Sequence, residues 1–179
     1  MYKVNEMRMP TWRQLGLNYV EYRPEIMWSK DYHKEGSKEI KDGVAKAFEG
    51  RDYALSQDIL KENIEYANYR FYKEIEGESD TQTINLDLDN ENSQLVATID
   101  IDAKEGSKSS FLINYTSNNT EEIILNSLVR VNLEKNSHVK LVVISNLGEK
   151  SKNLQSIASI IGEDASLDLS YVELGGDYS

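Results

Sequence analysis

Four aspartates, Asp87, Asp89, Asp100 and Asp102, come nearest in type and spacing to a chemical site. Within each pair the acids stand two residues apart, so on an extended strand both carboxylates project from the same side. If strand 84–89 lies beside strand 98–102, these acids gather on one face. A calcium ion takes about six to eight oxygen ligands, and such a face could supply several of them. The preferred reading is plainer: an outward, solvated face of a half-buried strand. The glycine-rich nonapeptide of calcium-binding β-helices is missing. A second cluster, Tyr66, Tyr69 and Tyr72, offers rings able to stack on a sugar or a base. Here the preferred reading is a helix edge packed on a sheet with its hydroxyls in water. Glu62 and Glu65 read as a solvated helix face, not as a catalytic carboxylate pair.

Composition removes other chemistries. The 179 residues include no cysteine, which excludes disulfides, thiolate metal sites and a cysteine nucleophile within this chain. His33 and His138 have no ligand-like spacing. The phosphate-binding Gly-rich loop, the Gly-x-Ser-x-Gly elbow and the His-Glu-x-x-His helix are all absent. No catalytic, cofactor-binding or metal-binding residue is therefore assigned, and the chain is not expected to be an enzyme. A net charge of −11 repels nucleic-acid phosphates and anionic membranes. No stretch approaches the roughly 18–20 apolar residues of a membrane span, and Met-Tyr-Lys-Val-Asn-Glu is no signal core. The expectation is a cytoplasmic protein with neither nucleic acid nor membrane as partner.

The elements that must position these residues are set by a repeat. Ile101–Tyr115, Val131–Ser145 and Ser159–Glu173 align so that Gly106, Asn136 and Asp164 fall in register, at offsets of 30 and then 28. Each tolerates a tight turn or a positive φ. A small residue follows each one (Ser107, Ser137, Ala165), and an alternating strand then begins with Phe111, Leu141 and Leu169 in equivalent places. Strand, tight corner and strand at such a period predict a parallel β-solenoid, in which stacked coils bury what one coil cannot. The competing arrangement is an antiparallel sandwich. In the solenoid Leu133, Val139, Leu141 and Val143 stack on Ile161, Leu167, Leu169 and Tyr171.

Ahead of the repeat the chain divides at residues 1–76, an arm and helical region, and 77–179, the β-helix core. Residues 1–36 read as an extended arm with a short helical turn near Thr11–Leu15, and Trp12, Leu15, Leu17 and Trp28 as its burying residues. One helix is predicted over 37–49, with Ile40, Val44 and Phe48 on its apolar face and Gly50 as its stop. A second is predicted from about Asp52 to Phe71, with Leu55, Ile59, Leu60, Ile64, Ala67 and Phe71 on one face. Glu74–Thr83 reads as a polar linker, and no proline follows it, as a continuous ladder requires.

These features together resemble the SufB/SufD family of iron–sulfur cluster assembly scaffolds, the SufD side more closely. The residues that carry the resemblance are Pro10-Thr11-Trp12, the two helices, the corners Asn136-Ser-His-Val-Lys-Leu and Asp164-Ala-Ser-Leu-Asp-Leu, and the final strand into Val172-Glu-Leu-Gly-Gly176. Ser137 and His138 depart slightly from the family's corner. The resemblance implies an α+β chain, an N-terminal helical region followed by a right-handed parallel β-helix. It implies a SufB-like partner paired through the β-helices and a SufC-like ABC ATPase bound by a C-terminal helical region. It also implies that the full SufBCD complex handles the iron–sulfur cluster; neither His33 nor His138 matches the family's implicated ligands, and no ligand is carried over. The repeat is still running at Leu174, so the β-helix is expected to be incomplete. Its last coil should offer Leu167, Leu169, Tyr171, Val172 and Leu174 for interaction, including self-association as a two-fold dimer. A carbohydrate-binding or carbohydrate-active β-helix is the alternative function.

Overall fold

The computed structural model describes residues 2–4, 20–22, 31–34, 36, 42–51, 57–117 and 122–175. Thr11–Leu15, Trp12, Leu17 and Trp28 lie outside the described residues. Within the arm, β1 (Tyr2–Val4) and β2 (Val20–Tyr22) pair antiparallel. Two short helices follow, α1 (Asp42–Ala47) and α2 (Gln57–Tyr66). Val44 and Phe48 are buried as the spacing requires, and Gly50 takes a φ of 70° just past the helix.

The second helix ends earlier than its periodicity predicts. Residues from Tyr69 onward form β3 (Tyr69–Ile75), not a last helical turn. The run Tyr-Arg-Phe-Tyr is aromatic-rich and alternating, and a ladder partner decides in favour of the strand. Tyr69 stands opposite Ala97 and Ile75 opposite Ala103 in β5 (Gln94–Ala103). The expected linker therefore shrinks to a corner around Gly77, which has a φ of 68°. β4 (Gln82–Leu88) follows it. β3, on the N-terminal side of residue 77, is thus already part of the ladder.

The remaining strands are β6 (Lys108–Ser117), β7 (Ile123–Leu133), β8 (His138–Asn146), β9 (Ser151–Ile161) and β10 (Ser166–Leu174). Odd strands form one sheet in the order β3-β5-β7-β9, and even strands form another in the order β4-β6-β8-β10. Every pairing in both sheets is parallel. Successive odd–even pairs make about four coils of a β-solenoid. The sandwich is excluded. Leu133 stands opposite Ile161, Val139 opposite Leu167, Leu141 opposite Leu169, and Val143 opposite Tyr171, in the stacking predicted from the repeat.

Between the sheets lie Leu95, Ile99, Ile101, Phe111, Ile113, Leu125, Val131, Leu141 and Val143, all buried. The corners keep this stack in register. Gly106, Asn136 and Asp164 have φ of 70°, 58° and 56°. A positive φ at the third position is the mark of a type II turn. The turns also bond to one another: Gly106 N donates to Lys135 O, and Asn136 N to Glu163 O, each at 2.9 Å.

The start of the solenoid is covered by residues 31–34 and 36. Tyr32 is buried against the edge of the Tyr69 ring at a centroid distance of 5.9 Å, and its hydroxyl donates to Asp87 O at 2.8 Å. Lys34 Nζ reaches Asp87 Oδ1 at 2.7 Å and Asn85 O at 3.0 Å. Gly36 crosses so close to β3 that a Cβ there would lie 2.1 Å from Arg70 O. No helix among the described residues is long and apolar enough to cross a membrane.

Candidate functional site

The four aspartates are not brought together. β4 and β5 belong to different sheets, so Asp87 and Asp89 lie apart from Asp100 and Asp102. Asp87 holds Lys34, with His33 Nε2 at 3.6 Å. Asp89 closes its own turn by accepting from the Asn92 and Glu91 backbone amides at 2.7 and 2.9 Å. Those bonds, the Asn92 amide first, hold its carboxyl below the usual range. No group of three or more His, Cys, Asp or Glu able to hold a metal ion occurs among the described residues.

Asp100 and Asp102 correct the preferred reading as well. They do face outward from β5, but they are 5% and 3% exposed, not solvated. Asp100 forms a two-pronged pair with Arg130, its register partner on β7: Nε to Oδ1 and Nη2 to Oδ2, both at 2.7 Å. Asp102 accepts from Asn132 Nδ2 at 2.9 Å and from Lys104 Nζ at 2.8 Å. Lys104 also reaches Glu134 at 3.1 Å, and these partners, Asp102 first, raise its pKa. A carboxylate that accepts from a guanidinium or an ammonium already has its acceptor sites occupied by charge-assisted bonds. It is a poor general base, and this network reads as structure.

The tyrosines are dispersed in the same way. Tyr66 is exposed at the end of α2, and Tyr69 is buried in the core. Tyr72 sits on the outer side of β3, donating to Glu74 Oε2 at 3.2 Å and to Asp102 Oδ2 at 3.4 Å. Burial, with Asp102 and Glu74 nearby, pushes its hydroxyl above the ordinary range. Rings divided among a helix end, a core and a strand's outer face make no stacking platform, which removes the residue basis of the carbohydrate reading.

Glu62 contradicts its expected place on a solvated face. The side of α2 that meets β5 and β7 carries Ile59, Glu62 and Asn63, all buried, while Ile64 is 45% exposed. Glu65, by contrast, is exposed.

His138 is exposed and shares a hydrogen bond of 2.8 Å between Nδ1 and Ser166 Oγ. It lines a cleft of about 260 Å³ with Ser79, Lys108, Ser110, Lys140 and Asp168. Lys108 is paired with Glu78 at 3.3 Å, and Lys140 stands opposite Asp168 in register, so the cleft concentrates neither sign of charge.

The residues expected to make contacts lie on two faces of β10. Leu167, Leu169 and Tyr171 continue the inward column above Val139, Leu141 and Val143, whereas Val172 and Leu174 alternate to the outer side. Leu169, Tyr171, Val172 and Leu174 are 47%, 42%, 40% and 53% exposed, and Leu167 is half-buried. The inward face of this last coil also carries polar groups. Asn153 Nδ2 donates to Glu173 Oε1 at 2.6 Å, and Gln155 Nε2 to Asn153 Oδ1 at 2.8 Å.

Comparison with protein families places this geometry. Residues 86–179, more than half of the chain, match the family model described as SUF system FeS cluster assembly, SufBD core domain. The chain belongs to the SufB/SufD family. The part of this SufB/SufD-family chain that matches begins within β4 and runs through every later coil. No curated protein and no solved structure matches it.

Proposed function

We propose that this SufB/SufD-family chain is a SufD-like scaffold component of the SUF iron–sulfur assembly system, working by binding partners and not by catalysis. The observation that carries this reading is the family match lying over the coils, where Asp100 and Asp102 are engaged in structural pairs. The nascent cluster is cargo for the assembled SufBCD complex. This chain has no cysteine thiolate to offer it. The partners are a SufB-like chain, met through the β-helices, and a SufC-like ABC ATPase. The contact residues in this reading lie on β10, where Leu167, Leu169 and Tyr171 face the solenoid axis and Val172 and Leu174 face outward. The same apolar residues let the chain pair with itself when that partner is missing. A right-handed coil and a cytoplasmic location belong to the same reading.

The test is anaerobic reconstitution with iron and sulfide, of this chain alone and of its mixture with a SufB-like protein and a SufC-like ATPase. Iron and sulfide are expected in the mixture only. A cluster chromophore with stoichiometric iron and sulfide on the isolated chain would refute the reading.

A further inference from the structure

The contact between α2 and the sheet beneath it is made largely by polar groups, and one of them is left incomplete. Glu62 and Asn63 are 2% and 1% exposed. Asn63 is well bonded: its Nδ2 donates to Ala97 O at 2.8 Å and to Asn126 O at 3.2 Å, and its Oδ1 accepts from Thr98 Oγ1 at 2.8 Å. Glu62 Oε1 accepts from Asn126 Nδ2 at 3.0 Å, but Oε2 is buried with no hydrogen-bond partner. A buried carboxylate with one oxygen unpaired bears its desolvation cost unless it takes up a proton. Burial pushes the Glu62 carboxyl up from 4.5 to about 6, against the opposing pull of the Asn126 bond.

Among the described residues, no charged group on the packed elements pairs with it. Beneath α2, Asp100 on β5 and Arg130 on β7 neutralise each other. Asp102, further along β5, is held by Lys104 and Asn132. On α2 itself Asp58, Lys61 and Glu65 are exposed, and Lys46 on α1 is exposed too. β1, which also packs on α2, carries Lys3.

We infer that Glu62 is a proton-operated latch: with its carboxyl neutral, α2 seats on β5 and β7, and ionisation loosens it. The sign follows from linkage. The docked helix holds the proton more tightly than the undocked one, so docking strengthens as pH falls and weakens as pH rises through the docked pKa of about 6. The effect is complete above about pH 6 and disappears below 4.5, the ordinary value for the undocked acid. Loosening uncovers Val96, Thr98, Asn126 and Leu128, all buried in the docked state. The inference does not depend on the family reading.

The test uses the full chain between pH 5 and pH 7.5, above its isoelectric point of about 4.7. Amide exchange in α2, corrected for intrinsic rates, should show protection falling about eightfold over that range, with β5 and β7 steady. Glu62→Gln should abolish the pH dependence and keep α2 protected throughout. Unchanged α2 protection in the parent, or the same dependence in the variant, would overturn the latch. A carbon-13 titration of the Glu62 carboxyl in the unaltered chain decides the matter even if the variant does not fold. A midpoint near 6 is expected, and one near 4.5 would overturn the idea.

Discussion

Arg130 lies across β7 with its guanidinium on the Asp100 carboxylate of the neighbouring coil, and both side chains are 8% exposed. A buried pair of this kind stabilises little relative to an apolar pair of the same shape, but removing one partner strands the other. Arg130→Met should therefore destabilise the chain by about 3–5 kcal/mol, while the double replacement Asp100→Leu with Arg130→Met should recover most of the loss. Chemical denaturation of the three proteins measures this, and equal losses in the single and double variants would contradict it. Leu141 makes the corresponding point for the core. It is fully buried and stacked between Phe111 and Leu169, so Leu141→Ala should cost about 2–5 kcal/mol. A denaturation midpoint near the parent's would mean that this column is not core. Asp100 and Arg130 are 30 residues apart, the same offset as Gly106 and Asn136, and so are Asp102 and Asn132. The repeat thus held the partner of each acid. Alternation assigned both acids to the outer face, but it says only which way a side chain points, not what lies over it. For that reason their burial was not legible, and neither was the turning of Glu62 toward the sheet.

Among the elements, the corners hold neighbouring coils in register through backbone bonds from one turn to the next. Asn136 and Asp164 occupy the left-handed region that glycine occupies at Gly106. A β-branched residue there meets its own backbone at a cost of about 1–2 kcal/mol. Asn136→Val should lower the thermal midpoint measured by circular dichroism, while Asn136→Gly should leave it near the parent's. Equal midpoints for the two variants would mean that this corner is not under conformational constraint. These turns were readable because residue type, register and the following small residue agreed at all three positions. The switch from α2 to β3 was not. Phe71 continues the helical spacing of Ile64 and Ala67, and only the ladder with β5, formed across about 28 residues of intervening chain, makes Tyr69–Ile75 a strand. A contact that distant leaves no local periodicity to find.

At the scale of the whole molecule, two parallel sheets stack about four coils between a covered start and an exposed last coil. Tyr32, Lys34 and Gly36 close the first coil, whereas the last one presents Ile157, Ile161, Leu167 and Leu169 beside the polar set Asn153, Gln155, Tyr171 and Glu173. On the proposed function such a surface selects a partner on two counts: the apolar half drives association, and the polar half penalises a partner that leaves its groups unbonded. The net charge of −11 opposes loose aggregation without opposing a fitted contact. The proposed function has this SufB/SufD-family chain work through that surface. Light scattering of the chain mixed with a SufB-like protein tests it most directly, in parallel with the double variant Leu169→Lys with Val172→Glu. A one-to-one complex is expected with the parent chain and its loss with the variant, the variant's strand content being unchanged by circular dichroism. No complex at tens of micromolar, or a complex that the two added charges leave intact, would contradict the account.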